Sequence, residues 1–497
     1  MADIDAAVVG SGPNGLAAAV VLVAAGLRVR VYEGAATPGG GCRTEELTPG
    51  LRHDVCSAVH PLAAASPFFR RFGLARRGVT LLSPPVAFAH PLDGGRAGAV
   101  WGTVADTAAA LGRDGAAYTA MFGALARGGL DLVDEILSPV RGPGQRPLAL
   151  ASFGLQAMRS AQAVAHQLRT DEARALFAGV AAHAVLPLGS PMTAGVGLLL
   201  GALAHLVGWP VVQGGSAGIV DAMVAAIEAG GGEVVTGHRV RSLEELAPAR
   251  AILADLSPRG LLDLAGGQLP DGYARVMRRF RYGPGVCKVD WALSEPVPWA
   301  APACRSAGTV HLGGSFEEVA RSEADVAAGR HPSAPYVLVV QPGVVDATRF
   351  TRAAPGGAAA GPGGRLGGLQ ALWSYCHVPS GSERDMSGAI AAQLERFAPG
   401  FGDVVVAKVT RTASQLEAHN PNYVGGDIGG GSQGLRRALV GPALSWNPYR
   451  TPIPGLYLCS ASTPPGPGVH GRCGELAALH ALSDVFGIRQ APDLTSS

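Results

Sequence analysis

Lysine is almost missing from this chain. Lys288 and Lys408 are its only lysines among 40 basic residues, and charged residues of both signs make up 16% of the sequence. The formal charge is +2, with no basic run that would follow a phosphate backbone, so nucleic acid is excluded as an expected partner. Cysteine is sparse and scattered. Cys42, Cys56, Cys287, Cys304, Cys376, Cys459 and Cys473 show no CxxC or CxxH spacing, which excludes a zinc ribbon or a disulfide framework and predicts reduced thiols and no metal site. Long apolar runs are also lacking. The most membrane-like stretch, 194–212, is interrupted by His205, Pro210 and four glycines, so it reads as a buried helix ending in a turn. A shallow contact of that helix with a bilayer surface, collecting a lipophilic substrate, stands as the alternative. No charged leader with a small-residue cleavage site precedes the first apolar run, and a cytoplasmic location is the expectation.

What is present is an apolar, glycine-rich globular composition: 47% hydrophobic residues and 71 glycines in 497 residues, enough for two domains with sizeable cores. The chain opens with a β-α-β unit. Ala6–Val9 is an apolar strand, 16–25 is helical by its Ala/Leu content, and 28–32 alternates Val with Arg as a second strand. Between strand and helix lies "GSGPNG". Gly10 suits the tight turn, Gly12 lets backbone approach a diphosphate, and Gly15 permits close helix–strand packing, with Pro13 and Asn14 in the turn. The helix N-terminus that follows offers N–H donors and a positive dipole end to phosphates. Glu33 closes the second strand, where its carboxylate can accept from ribose hydroxyls. A bare GxGxxG is a weak signal in so glycine-rich a chain; this one has its full strand–turn–helix–strand–acid context.

Farther along, 104–111, 114–126 and 172–182 read as helices, within a region from about residue 80 to 206 that looks mainly helical. A strand–helix–strand rhythm returns over 211–243, and Gly285–Leu293, 336–340 and 370–377 read as strands. A Gly/Pro-rich stretch at 353–368 reads as a loop without core-forming content. The cluster "GGDIGGGSQG" at 425–434 follows no apolar strand and reads as a surface or lid loop rather than a second nucleotide turn. No second β-α-β unit with a closing acid is found, so a separate nicotinamide-binding domain is not expected.

Gly15, Ala19, Leu22, Gly26, Val29, Glu33 and the Gly39-Gly40 doublet together resemble the extended dinucleotide fingerprint of FAD-dependent amine oxidases and phytoene-desaturase-like enzymes. "RTPIPGLYLCSASTPPGPGVHG" resembles the final strand and loop of that superfamily, and "GGSAGIVDAMVAAIEAGGGEVVTGHRV" its middle shared element. The likeness is nearest to bacterial phytoene-dehydrogenase-like oxidoreductases, including those related to the pyridine-nucleotide-disulfide-oxidoreductase-domain protein 2 family. It implies an α/β chain in which an FAD-binding Rossmann-type domain of the glutathione-reductase-2-like kind is interleaved with a mixed α+β substrate domain. The nucleotide domain would comprise 1–80, 208–265 and 440–490, and the substrate domain 81–207 and 266–439.

FAD is the cofactor this resemblance implies. Its ligands would include Gly10, Gly12, Pro13, Asn14 and Gly15 of the turn, Glu33, Gly39, Gly40, Gly41 and Arg43, with the Val240 backbone at the adenine. Ser460, Gly468, Val469 and His470 would lie by the flavin ring. Ser460 and Pro464 depart from the Gly and His common there in the superfamily. Lys288, in "GPGVCKVDWAL", resembles the amine-oxidase lysine that holds a water near flavin N5, and it is weighed against a plain ion pair with Asp290 two residues on. His470 is the other catalytic candidate, against a role in capping the loop. Trp373, Tyr375, His377, His419 and Tyr423 are candidate substrate-lining residues, against ordinary core aromatics.

Flavin chemistry needs no nucleophile, and none in a G-x-S-x-G or comparable context is found. The expected function is hydride removal from a long apolar polyene, isoprenoid or polyketide-type substrate, with oxygen or a quinone as electron acceptor. An amine-oxidase-like oxidase releasing hydrogen peroxide, and a binding module that merely retains FAD, are the alternatives. The oligomeric state cannot be read.

Overall fold

A computed structural model of the chain describes residues 4–138, 147–351, 368–432 and 441–495, apart from 444 and 446. The stretch at 353–368 lies, but for its last residue, outside the described residues.

Two sheets organise the molecule. The first is a five-stranded parallel sheet made of β1 (Ala6–Val9), β2 (Val29–Tyr32), β9 (Glu233–Val235), β10 (Ala251–Ala254) and β16 (Leu456–Leu458), in the order β16-β10-β1-β2-β9. Its strands are three or four residues long, and β1 is buried throughout, as a parallel strand covered on both faces must be. Helices Pro13–Ala24, Ala217–Ala229 and Arg472–Val485 cover one face through an Ala/Val/Leu-rich core, and helices Pro258–Ala265 and Asp271–Arg278 cover the other. The strands thus come from the start, middle and end of the chain.

The second sheet has seven strands: β6 (Val86–Pro91), β7 (Ala97–Trp101), β11 (Gly285–Leu293), β12 (Ala307–Leu312), β13 (Val337–Val340), β14 (Gln370–Val378) and β15 (Val405–Arg411). Their order is β15-β11-β14-β13-β12-β6-β7, antiparallel except for the β12–β6 pair. One face packs Cys287, Val289, Trp291, Leu372 and Cys376 under helix Ser387–Phe397. The other carries Val286, Trp373 and Tyr375 toward helices Asp171–Ala181 and Thr193–Leu206. Two short ladders complete the set, β3 (Thr44–Thr48) with β4 (Leu51–Asp54), and β5 (Leu81–Leu82) with β8 (Val211–Val212).

One expectation is corrected. The region read as mainly helical contains the β6–β7 hairpin, turned at Asp93–Gly95; the Asp-Gly-Gly turn between apolar runs was its signal. The strand expected at 211 is present as Val211–Val212, paired antiparallel with Leu81–Leu82. Helix Thr193–Leu206 ends where the sequence placed its turn, with eight buried residues. Among the described residues no helix is long and apolar enough to cross a membrane. None of the seven cysteines forms a disulfide among the described residues.

Several histidines are locked inside as neutral rings. His60 Nε2 meets Ser216 Oγ at 2.8 Å and His90 Nε2 meets the Gly314 carbonyl at 2.8 Å, and burial pushes both down to about 4. Their folded-state pKa lies below the ordinary value of 6.5, so on acidification the unfolded chain takes up these protons first. Stability is therefore full above pH 6.5 and drains away toward about 4. Each such histidine contributes up to about a tenfold loss in the folded-to-unfolded ratio per pH unit. Urea midpoints measured between these limits will fall with pH, and His90→Phe will flatten the slope.

Candidate functional site

The "GSGPNG" turn carries the chain from β1 into helix Pro13–Ala24 and lies against the end of β10. Gly10 has a φ of 98°, and a side-chain carbon there would come within 2.9 Å of the Asp255 carbonyl. One on Gly12 would stand 2.5 Å from Asp255 Oδ2, and one on Gly15 would run into the Gly10 carbonyl. Asp255 Oδ2 accepts the Gly15 N–H at 2.9 Å. Gly39, at a φ of 116°, docks the Gly39-Gly40 doublet on this turn by donating its N–H to Ser11 O (3.1 Å) and Ser11 Oγ (3.2 Å).

Glu33, at the end of β2, is held by both carboxylate oxygens. Oε2 accepts from Ser11 N (3.0 Å) and Ser11 Oγ (2.5 Å), and Oε1 from Ala35 N (2.8 Å) and Arg43 Nη2 (3.3 Å). Arg43 is buried and also donates Nε–H to the Thr37 carbonyl at 3.1 Å. These groups open on one cavity of about 970 Å³.

Of the residues expected from the sequence, Gly10, Gly12, Pro13, Asn14, Glu33, Gly40, Gly41, Arg43, Val240, Ser460, Gly468 and Val469 line this cavity. Gly15 and Gly39 stand behind it, supporting the turn. His419 and Tyr423 line it too, but beside the turn: the Tyr423 hydroxyl sits over Gly41, and Asn420 lies above Gly40. The cluster beginning at Gly425 is not a free surface loop. Gly425, Gly426 and Asp427 are buried, and the Asp427 carboxylate accepts from the N–H groups of Gly283, Gly429 and Gly431; residues 433 and 434 lie outside the described residues.

The two catalytic candidates lie off the cavity. Lys288 is 2% exposed, forms a buried ion pair with Asp290, and holds Nζ 5.4 Å from the Trp373 ring centre. Burial lowers its pKa, opposed by Asp290, and its charge acts on the Cys56 thiol, which does line the cavity. His470 is buried with both ring nitrogens taken: Nε2–H donates to the Gly466 carbonyl and Nδ1 accepts the Arg472 N–H, each at 3.0 Å. Burial pushes it down to about 4, so it is a neutral brace of the C-terminal loop. Trp373, Tyr375 and His377 form a row on one face of β14, with ring centres 5.1 and 5.6 Å apart, and none reaches the cavity. His377 Nδ1 pairs with Glu323 Oε2 at 2.8 Å.

Sequence reasoning missed Ser11, Cys56, His238, Arg239, Asp255 and Asn422, all on the cavity wall. A signal for Asp255 existed. It ends the apolar run "AILA" two residues before Ser257-Pro258, where Ser257 caps the next helix.

The cavity passes a fit test for a dinucleotide. The Asn14 side-chain amide is buried at the helix N-terminus with one end unpartnered among the described residues, the turn has no room for side chains, and a braced carboxylate stands one strand end away.

A parallel sheet, a glycine turn opening a helix and an acid closing the second strand define a Rossmann-type dinucleotide-binding fold. A family model described as an NAD(P)-binding Rossmann-like domain matches residues 8–72. Over 97% of this chain and 94% of the relative, the sequence is 24% identical to pyridine nucleotide-disulfide oxidoreductase domain-containing protein 2 of Rattus norvegicus. The fold is similar to that of an oxidoreductase from Methanosarcina mazei, with TM-score 0.60, 16% identity and coverage of 97% and 100% of the two chains. It is also similar to putrescine oxidase bound to putrescine, with TM-score 0.57, 16% identity and coverage of 98% and 99%.

Replacing Lys288 by Met leaves the Asp290 carboxylate buried without its counter-ion. A loss of about 3–5 kcal/mol in urea unfolding is expected. The double substitution Lys288→Met, Asp290→Leu recovers most of it; a neutral single variant would contradict the pairing.

Proposed function

We propose that this protein is an FAD-dependent oxidoreductase that dehydrogenates an uncharged, apolar substrate. The observation that carries the cofactor half is the single cavity joining the 10–15 turn and Glu33 to the C-terminal loop at Ser460, Gly468 and Val469. Glu33 accepts from ribose hydroxyls, and the helix N-terminus with Asn14 and Arg43 holds the diphosphate. The backbone around Val240 borders the adenine, and the Ser460–Ser462 and 468–469 backbones border the ring. Bound there, FAD supplies a two-electron acceptor for hydride, while the protein positions the substrate and excludes water. The sequence and fold likeness to oxidoreductases supports this reading.

The substrate half rests on charge. The charged groups of the cavity wall, Glu33, Arg43, Arg239, Arg241, Asp255, Arg259 and Asp263, come from the first sheet and its connections. By the C-terminal loop, the lining residues Gly430, Ala461, Ser462, Gly468 and Val469 offer no carboxylate. An ammonium moved into such a place would lack a counter-ion, whereas an isoprenoid or polyene chain needs none.

The protein reconstituted with excess FAD and desalted will keep about one flavin per chain; a colourless protein contradicts the reading. Mixed anaerobically with polyene or isoprenoid substrates, the flavin will bleach. Bleaching by amines instead, with hydrogen peroxide on admitting air, would favour the amine-oxidase reading. A flavin that stays oxidised with all of them would favour a binding module. Re-oxidation by oxygen or by a quinone identifies the acceptor.

A further inference from the structure

The helix that would face the cofactor diphosphate has no cap of its own. Its N-cap residue is Gly12, which has no side chain to bond the first free N–H groups, and no acidic residue lies in its first turn. The missing acceptor comes from 240 residues away: Asp255 Oδ2 takes the Gly15 N–H at 2.9 Å. Asp255 is 7% exposed and rigidly placed. Its N–H donates to the Val9 carbonyl at 2.8 Å and its carbonyl accepts from Asn422 Nδ2 at 3.0 Å. It lines the same cavity as Gly12 and Asn14, whose buried side-chain amide has one end without a partner among the described residues, left for a ligand to satisfy.

One positive helix end therefore faces two claimants for negative charge, the Asp255 carboxylate and a diphosphate. They stand in a buried pocket where like charges are weakly screened. We propose that Asp255 is a surrogate N-cap of the dinucleotide helix and takes up one proton when the cofactor diphosphate binds. The proposal rests on the FAD reading above. In the protonated form one carboxyl oxygen still accepts the Gly15 N–H, and the repulsion toward the diphosphate is gone. Proton and diphosphate are then bound together, with no bond broken other than that to the water that carried the proton.

The surroundings favour this proton. Burial, with the Glu33 charge adding to it and the Gly15 N–H opposing, pushes Asp255 up to about 7. Glu33 faces it from the end of β2 and is itself paired with Arg43. From the end of β16 comes Cys459, a buried thiol raised by burial and by Asp255, which stays neutral. From the 420–423 segment comes the uncharged Asn422. Arg259, on the helix that follows Asp255, is committed to Glu417 at 2.5 Å. No cation is paired with the Asp255 carboxylate among the described residues.

The test is FAD affinity against pH, read by quenching of flavin fluorescence, with calorimetry in two buffers of different ionisation heat. The dissociation constant is expected to be flat below about pH 7 and to rise by about tenfold per unit above it, with close to one proton taken up per FAD at pH 8. Asp255→Asn keeps an acceptor for Gly15 and should bind with pH-independent affinity. Should that variant fail to fold, the wild-type proton count decides alone. FAD binding with flat affinity and no proton uptake overturns the role of Asp255 while leaving the flavin reading intact; no FAD binding at any pH overturns both.

Discussion

The contact between the 10–15 turn and the end of β10 is the constraint on which the rest of the molecule depends. Gly10 and Gly12 are pressed closely on Asp255 and Gly15 on the Gly10 carbonyl, so that none of the three has room for a side chain. That closeness ties the first β-α-β unit to a strand some 240 residues later, and β10 in turn pairs with β16 near the chain's end. The parallel sheet is thus assembled from remote segments, and its strand ends converge on one cavity, as open α/β sheets place ligands beyond the carboxyl ends of their strands. The glycines usually justified by a ligand are here also required by the protein itself.

A consequence is that charge in the cavity is arranged by the first sheet. Glu33 is held by Ser11, Ala35 and Arg43 before any ribose arrives, so its orientation is preset. The C-terminal loop contributes neutral surface. The one lysine on the sheet face near the cavity is spent on Asp290, and the histidine of the loop is neutral and braced. Chemistry in this cavity would draw on a cofactor for its electrons and on the protein for placement.

Much of the nucleotide half was legible in the sequence because its determinants are local. A turn, a helix start and an acid spaced along 27 residues fix each other's positions through backbone geometry, and the Gly39-Gly40 doublet needs only to fold back on Ser11. The strand end at Asp255 left a trace in the sequence but its role did not, because nothing in "ADLSP" indicates which helix its side chain will cap. Lys288 shows a different limit. Its spacing to Asp290 put both on one strand face, but only the register with β14 and β15 shows that this face is sealed by Trp373 and Tyr375. For His470 the partners, Gly466 and Arg472, are close in sequence; what was hidden is the ring's direction, which the tight loop turns inward. The β6–β7 hairpin was missed because its strands run apolar on both faces and lack the alternation that marks a half-buried strand.

The central claim is that one cavity, begun by the glycine turn and finished by the C-terminal loop, holds a flavin dinucleotide. A crystal structure of the protein grown with FAD tests it most directly. The account predicts the diphosphate on the Gly12, Asn14 and Gly15 end of the first helix, ribose hydroxyls on Glu33, and the flavin ring against Ser460, Gly468 and Val469. A dinucleotide whose second half turns away from that loop, or one found outside the cavity, would contradict it.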